Sequence, residues 1–170
     1  MKKLEMKLCQ PVPAEGLHME KEHMQVETWN IGSLFKALKA LDMVAAGQAN
    51  ATIVGGTEQT IQLTMAELGG LPIIIAVTGE QIIVDSLLVE AEDVKDPAAF
   101  NAAVLRSRDL FPLSSIGLEQ LPDGRDVYSI FGALSSSSSI SNIVTEIETL
   151  IENIQRATEV FADFFNIEAA

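Results

Sequence analysis

The sequence predicts an α+β domain in which a twisted antiparallel sheet of hairpins is covered by three helices on its apolar face. Three observations carry this expectation. The stretches "LPIIIAVTGEQIIVDSLLVEA" and "SIGLEQLPDGRDVYSIFGAL" each place two β-prone arms around a short turn. Segments with helical spacing begin near Ile31, at Asp96-Pro97 and at Ile140. A chain of 170 residues that is 48% hydrophobic is also long enough to bury a core without disulfide or metal staples.

Taken in order, residues 1–28 mix charge, methionine and proline without a clear period, and are expected to form a flexible N-terminal arm with a short strand at Leu4 to Leu8. The single α+β domain is expected over residues 29–170. Ile31, Leu34, Phe35, Leu38, Leu41 and Ala45 recur at helical spacing, with Asn30 or Ser33 as cap and Gly47 as terminator. Between Gly47 and Gly70 the runs "ATIV" and "TIQLTM" supply one or two further strands with loose boundaries, since glycine pairs flank them.

The first hairpin turns at Thr78-Gly79-Glu80, where glycine accepts a positive φ. Asp96 followed by Pro97 reads as an N-cap and first helical position, with Phe100, Val104, Leu105 and Leu110 on the buried side and Pro112 as the stop. The second hairpin turns at Pro122-Asp123-Gly124 and sets Tyr128, Ile130 and Leu134 on one face. Gly132 in its second arm signals a bulge or a close approach of another group.

The serine run Ser135 to Ser139 is followed at once by an in-phase apolar pattern. Ile140, Ile147, Ile154 and Phe161 repeat every seven residues, with Ile143, Leu150, Ala157 and Phe164 beside them and Val144, Ile151, Thr158 and Phe165 widening the stripe. Glu146, Glu148, Glu152, Glu159 and Asp163 are expected largely off this face. The run is therefore a strand-to-helix junction in which Ser138 or Ser139 caps a helix of about seven turns.

The formal net charge is −13 and no segment of the chain is basic. Such a surface repels phosphate backbones and anionic headgroups, which argues against nucleic-acid partners and against electrostatic docking to membranes. The apolar run Leu71 to Val77 is far short of a membrane span. One cysteine, Cys9, excludes an internal disulfide and suits a reducing cytosol, and "MKKLEMKLCQ" lacks an apolar stretch behind its lysines, so a cytoplasmic location is expected.

The stretch "LFPLSSIGLEQLPDGRDVYSIFGALSSSSSISNIVTEIETLIENIQRATEVFADFF" resembles the YjfI-like family of small bacterial proteins, as do "LPIIIAVTGEQIIVDSLL" and "DPAAFNAAVLRSRDLFPLSS". The likeness covers about Trp29 to Phe165, and "FPLSSIGLE" and "FGALSSSSS" are its most specific blocks. Residues 1–28 and Gly47 to Thr60 fall outside it. The resemblance implies an order of elements like that of YbjN and secretion-chaperone folds, which are often dimers. It also implies gene neighbours of the phage-shock-protein-A type, and no catalytic residues.

The residues themselves offer little chemistry. A serine hydrolase needs a histidine to orient its nucleophile, and His18 and His23 both lie on the arm. Zinc wants clustered Cys and His, and a phosphate cradle wants a lysine after its glycines; neither pattern occurs, so no metal or cofactor is expected. Glu90, Glu92, Asp93 and Asp96 cluster without the alternation of a calcium loop and read as a solvated acidic turn.

The candidate interface residues are Trp29, Phe161, Phe164 and Phe165. Trp29 precedes the first helix and is expected to staple onto it; Phe161 leans toward core burial, and Phe164 and Phe165 divide evenly between core and partner contact. The function expected is a non-enzymatic cytosolic interaction protein, chaperone-like or adaptor-like, acting as a homodimer on a helical client such as a phage-shock-protein-A homologue. A small-ligand-binding regulatory domain is the alternative, and an enzyme working through carboxylates comes third.

Overall fold

Asn30 opens the first helix by a reciprocal exchange: its side chain accepts the Ser33 amide at 2.9 Å and the Ser33 hydroxyl accepts the Asn30 amide at 3.0 Å. Two amides that a helix start leaves orphaned are thereby satisfied. This computed structural model describes residues 28–56 and 58–166. The strand expected at Leu4 to Leu8, Cys9, His18 and His23 lie outside the described residues.

Helix α1 spans Ile31–Lys39 and buries Leu34 and Leu38. Where the sequence pattern predicts one helix to Ala45, the chain turns extended at Leu41 and restarts as the one-turn α2, Asp42–Ala45. The Leu41 carbonyl takes the Val44 and Ala45 amides, and the new direction packs Met43 and Val44 against the core. Gly47 ends this segment at φ +78°.

The region left loose by the sequence is sheet. Strands β1 (Ala49–Val54) and β2 (Thr60–Met65) pair antiparallel, and β3 (Leu71–Thr78), β4 (Gln81–Glu90), β5 (Ser115–Gln120) and β6 (Asp126–Ser135) complete six strands in the order β1-β2-β3-β4-β6-β5. Both expected turns form, with Gly79 at φ +58° and Gly124 at φ +90°, a region that side chains with a Cβ rarely enter.

Helix α3 (Pro97–Arg106) starts as expected, the Asp96 carboxylate accepting the Ala99 amide at 3.0 Å. Its end differs. The Ser107 hydroxyl donates to the Val104 carbonyl at 2.8 Å and the helix stops at Arg106, well before Pro112. Leu105, expected inside, lies on the side of α3 away from buried Phe100 and is 81% exposed, and Leu110 lies exposed in the turn that follows the early stop.

Helix α4 (Ile140–Val160) is capped by the Ser139 hydroxyl, which accepts the Asn142 amide at 3.3 Å. Ile143, Ile147, Leu150, Ile154 and Ala157 are buried in a stripe. The helix ends at Val160, short of Phe165. Residues 162–164 make a tight turn that folds the chain back, so that Phe165 bridges Val94 and the Asn166 amide donates to the Asp93 carbonyl at 2.7 Å. These long-range bonds outcompete continuation of the helix.

Helices α1 and α2 pack on β1 and β2, and α4 packs on β4 and β6. One sheet face, carrying Ile61, Leu63, Ile73, Ile75, Ile82, Val84 and Ile130, is thus the floor of the core. The other face carries no helix among the described residues.

Candidate functional site

The end of the molecule where α3 and α4 meet gathers the aromatic side chains. Phe100 is fully buried, with Tyr128 at 4.7 Å and Phe161 at 5.2 Å between ring centres in edge-to-face geometry, and Phe164 and Phe165 at 5.5 and 5.6 Å. Such pairs add to simple burial because ring edges meet ring faces. Of the four residues singled out from sequence, the structure therefore joins three. Phe161 and Phe165 are buried within the chain, and Phe164 is half-buried.

Phe164 also lines an open cleft of about 500 Å³ with Ala103, Leu110, Val160 and Phe161, rimmed by Arg106 and Asp109. Leu110 and Val160 are both exposed. The Arg156 guanidinium holds one wall by donating to the Leu110 carbonyl at 2.8 Å.

Trp29 sits elsewhere. Its backbone amide donates to the Ser136 carbonyl at 2.8 Å and its indole N–H to the Ser138 carbonyl at 2.7 Å, tying the entry of α1 to the serine run. Beside it, Thr28, Thr78, Glu80, Gln81 and Ser135 to Ser137 line a hydroxyl-rich cleft of about 760 Å³.

The uncovered sheet face is the second candidate surface. Val84 and Ser86 point to the helices, so alternation sends Ile83, Asp85 and Leu87 the opposite way. Asp85 pairs with Ile74 on one side and Phe131 on the other, and the Phe131 ring lies against Gly117 of β5, where an added Cβ would sit 3.1 Å from it. Asp85 Oδ1 is sealed from solvent and has no hydrogen-bond partner among the described residues.

That position shifts its titration. Burial pushes the Asp85 carboxyl up to about 6, Glu119 on the same face adds to the rise, and Ser129 and the Ser86 backbone offset part of it. Because the folded state binds the proton more tightly than the unfolded one, stability falls as pH rises from about 4 to about 6. Replacing Asp85 by Asn should remove this slope and raise stability at pH 7 by about 1–2 kcal/mol after allowance for solvent screening, as urea titrations at pH 4, 5, 6 and 7 will show.

Sequence reasoning placed Glu146 off the apolar stripe; it is 3% exposed. Its carboxyl rests on Gly132, where a Cβ would fall 1.6 Å from Oε1, and burial raises its pKa. Asn153, 1% exposed, donates to the Pro112 carbonyl at 2.7 Å and the Ser114 hydroxyl at 2.9 Å, strapping the 111–114 loop to α4. Leu113 in that loop has φ +63°, a strained value for a residue with a branched side chain. The blocks "FPLSSIGLE" and "FGALSSSSS" thus both rest on α4, the first at Asn153 and the second at Glu146, about two turns apart.

No group of three or more His, Cys, Asp or Glu among the described residues is placed to hold a metal. In the predicted acidic turn, Glu90 is paired with Arg125, which also binds Asp123 at 2.9 Å.

A six-stranded antiparallel sheet covered by helices on one face defines an α+β domain. The fold is similar to that of a chain in the solved HopA1-SchA Chaperone-Effector Complex, with a TM-score of 0.51 and 16% identity over 77% of this chain and 98% of that one. The chain belongs to the bacterial family described as "Uncharacterized protein conserved in bacteria (DUF2170)", whose profile matches residues 28–165 and so runs through Gly47 to Thr60 as well. It is 29% identical over 137 residues to "Uncharacterized protein YjfI" of Escherichia coli strain K12, covering 81% of this chain and 98% of the relative, and equally to the protein of that name in Escherichia coli O157:H7. No helix among the described residues is long and apolar enough to cross a membrane.

Proposed function

We propose that this chain is a non-enzymatic partner-binding domain, chaperone-like or adaptor-like, working in the cytoplasm as a homodimer over residues 29–170 on a helical protein client. The observation that carries the reading is the apolar cleft between α3 and α4. There Leu110 and Val160 stay exposed beside half-buried Phe164, although a core lies within reach. Exposed apolar groups gathered in a cleft and rimmed by charge mark a surface that another chain covers. The likeness in fold to a chain of a chaperone-effector complex supports the same reading.

A phage-shock-protein-A-type coiled coil is the client the resemblance suggests, because its apolar helix stripe suits such a cleft. The test is capture of that homologue from the native host by the tagged chain, compared with Val160→Asp and Leu110→Asp. Capture by the parent chain, reduced at least tenfold in both variants with unchanged melting temperature, is expected. Capture that persists in both would move the client away from the cleft, and its absence in the parent would remove this client.

The alternative is a small-ligand-binding regulatory domain, for which the hydroxyl-rich cleft beside Thr28 is the place. A metabolite screen that raises the melting temperature of the parent chain but not of Ser137→Tyr would favour it.

A further inference from the structure

The uncovered sheet face has a composition that selects its occupant. Ile74, Ile83, Leu87 and Phe131 project from it, and none of the four belongs to the core cluster under the helices. Leu87 is 49% exposed. Asp85 stands among them and Glu119 lies on the same face, since Ile116 pairs with core residue Ile130 and alternation carries Gly117 and Glu119 outward. The six strands contain no lysine, arginine or histidine. The cation that flanks this face, Arg125 just before β6, is already engaged by Glu90 and Asp123, so an apolar field with a sealed, unpartnered Asp85 oxygen is complementary to an apolar surface that brings its own cation.

We propose that this face receives an amphipathic helix of another protein, whose apolar stripe packs on Ile74, Ile83, Leu87 and Phe131 and whose single lysine or arginine, set within that stripe, binds Asp85 and Glu119. A helix fits because a sheet face accepts a helix as its second layer, as the opposite face accepts α4. A second copy of this chain fits poorly, since two such faces meeting would oppose their carboxylates, Arg125 at the edge being held already by Glu90 and Asp123. The inference shares the partner-binding reading above but concerns a different surface, and its test uses no native partner.

The probe is an 18-residue helical peptide of leucine and glutamine with one lysine at the centre of its leucine stripe, titrated into the full chain by fluorescence anisotropy beside a peptide with glutamine at that position. The lysine peptide is expected to bind at least tenfold more tightly. Asp85→Asn should abolish that preference while leaving the glutamine peptide's affinity in place. Leu87→Glu should weaken both peptides at least tenfold even though it makes the chain more acidic. Melting curves of each variant verify that the fold is kept.

The proposal is overturned if Leu87→Glu binds as well as the parent or better, which would mean general attraction to an acidic surface. It is equally overturned if the lysine preference survives Asp85→Asn, or if sedimentation shows a dimer of the parent chain that Leu87→Glu splits into monomers, which would make the face a self-interface.

Discussion

Replacing Gly132 by alanine is expected to destabilise the chain by about 3 kcal/mol, the upper end for overpacking a well-filled interior. The new methyl would lie 1.6 Å from Glu146 Oε1, 2.8 Å from its Cδ and 3.1 Å from the Leu113 carbonyl oxygen. The carboxyl has no free path, because Glu146 sits on the buried side of α4 between Ile143 and Leu150, both fully buried. Either the helix lifts from β6 or the carboxyl forces a new route through packed atoms. Removing the obstacle separates these causes: in Gly132→Ala/Glu146→Ala the methyl occupies space the carboxyl vacates, so the loss should be smaller than the sum of the single losses by about 1–2 kcal/mol. Urea unfolding of the four proteins measures it, and additive losses would show that the helix, not the carboxyl, is what the methyl meets.

Phe100→Ala is expected to cost about 4 kcal/mol, in the range for emptying a buried aromatic site. The ring is fully buried and is the common neighbour of Tyr128, Phe161, Phe164 and Phe165. Its removal also takes away the surface against which the 161–166 turn rests. Hydrogen exchange should therefore accelerate first at the amides of Phe165 and Asn166, whose bonds to Ala162 and Asp93 close that turn. A loss below about 2 kcal/mol, with those amides unchanged, would mean the neighbouring rings collapse into the vacated space.

Much of the local structure was legible because its causes are local. Asn30, Asp96 and Ser139 cap helices through bonds to amides three residues on, and Gly79 and Gly124 mark turns through their own backbone freedom. What the sequence hid depends on distant partners. Glu146 and Asn153 are polar residues within a helical stripe, and what makes room for them is Gly132 in β6 and the carbonyl of Pro112 in a loop. The early end of α4 is of the same kind, since Asp93 and Val94 capture the chain beyond Val160, whereas that of α3 is local, made by the Ser107 hydroxyl. The cleft shows both sides: Phe161 and Phe164 stand out in sequence as surplus apolar length, whereas Leu110 joins them only because α3 stops short. Asp85 had no sequence signal at all, since "IIVDSLL" reads as a strand whichever face the aspartate takes.

The chain has a single tryptophan, and it is Trp29. With its indole N–H given to Ser138 and its backbone amide to Ser136, the one strong natural fluorophore stands where the first helix, the last strand and the longest helix converge. Emission colour and lifetime therefore act as a gauge of that junction alone, and any ligand or client that reshapes the serine run announces itself optically without a label.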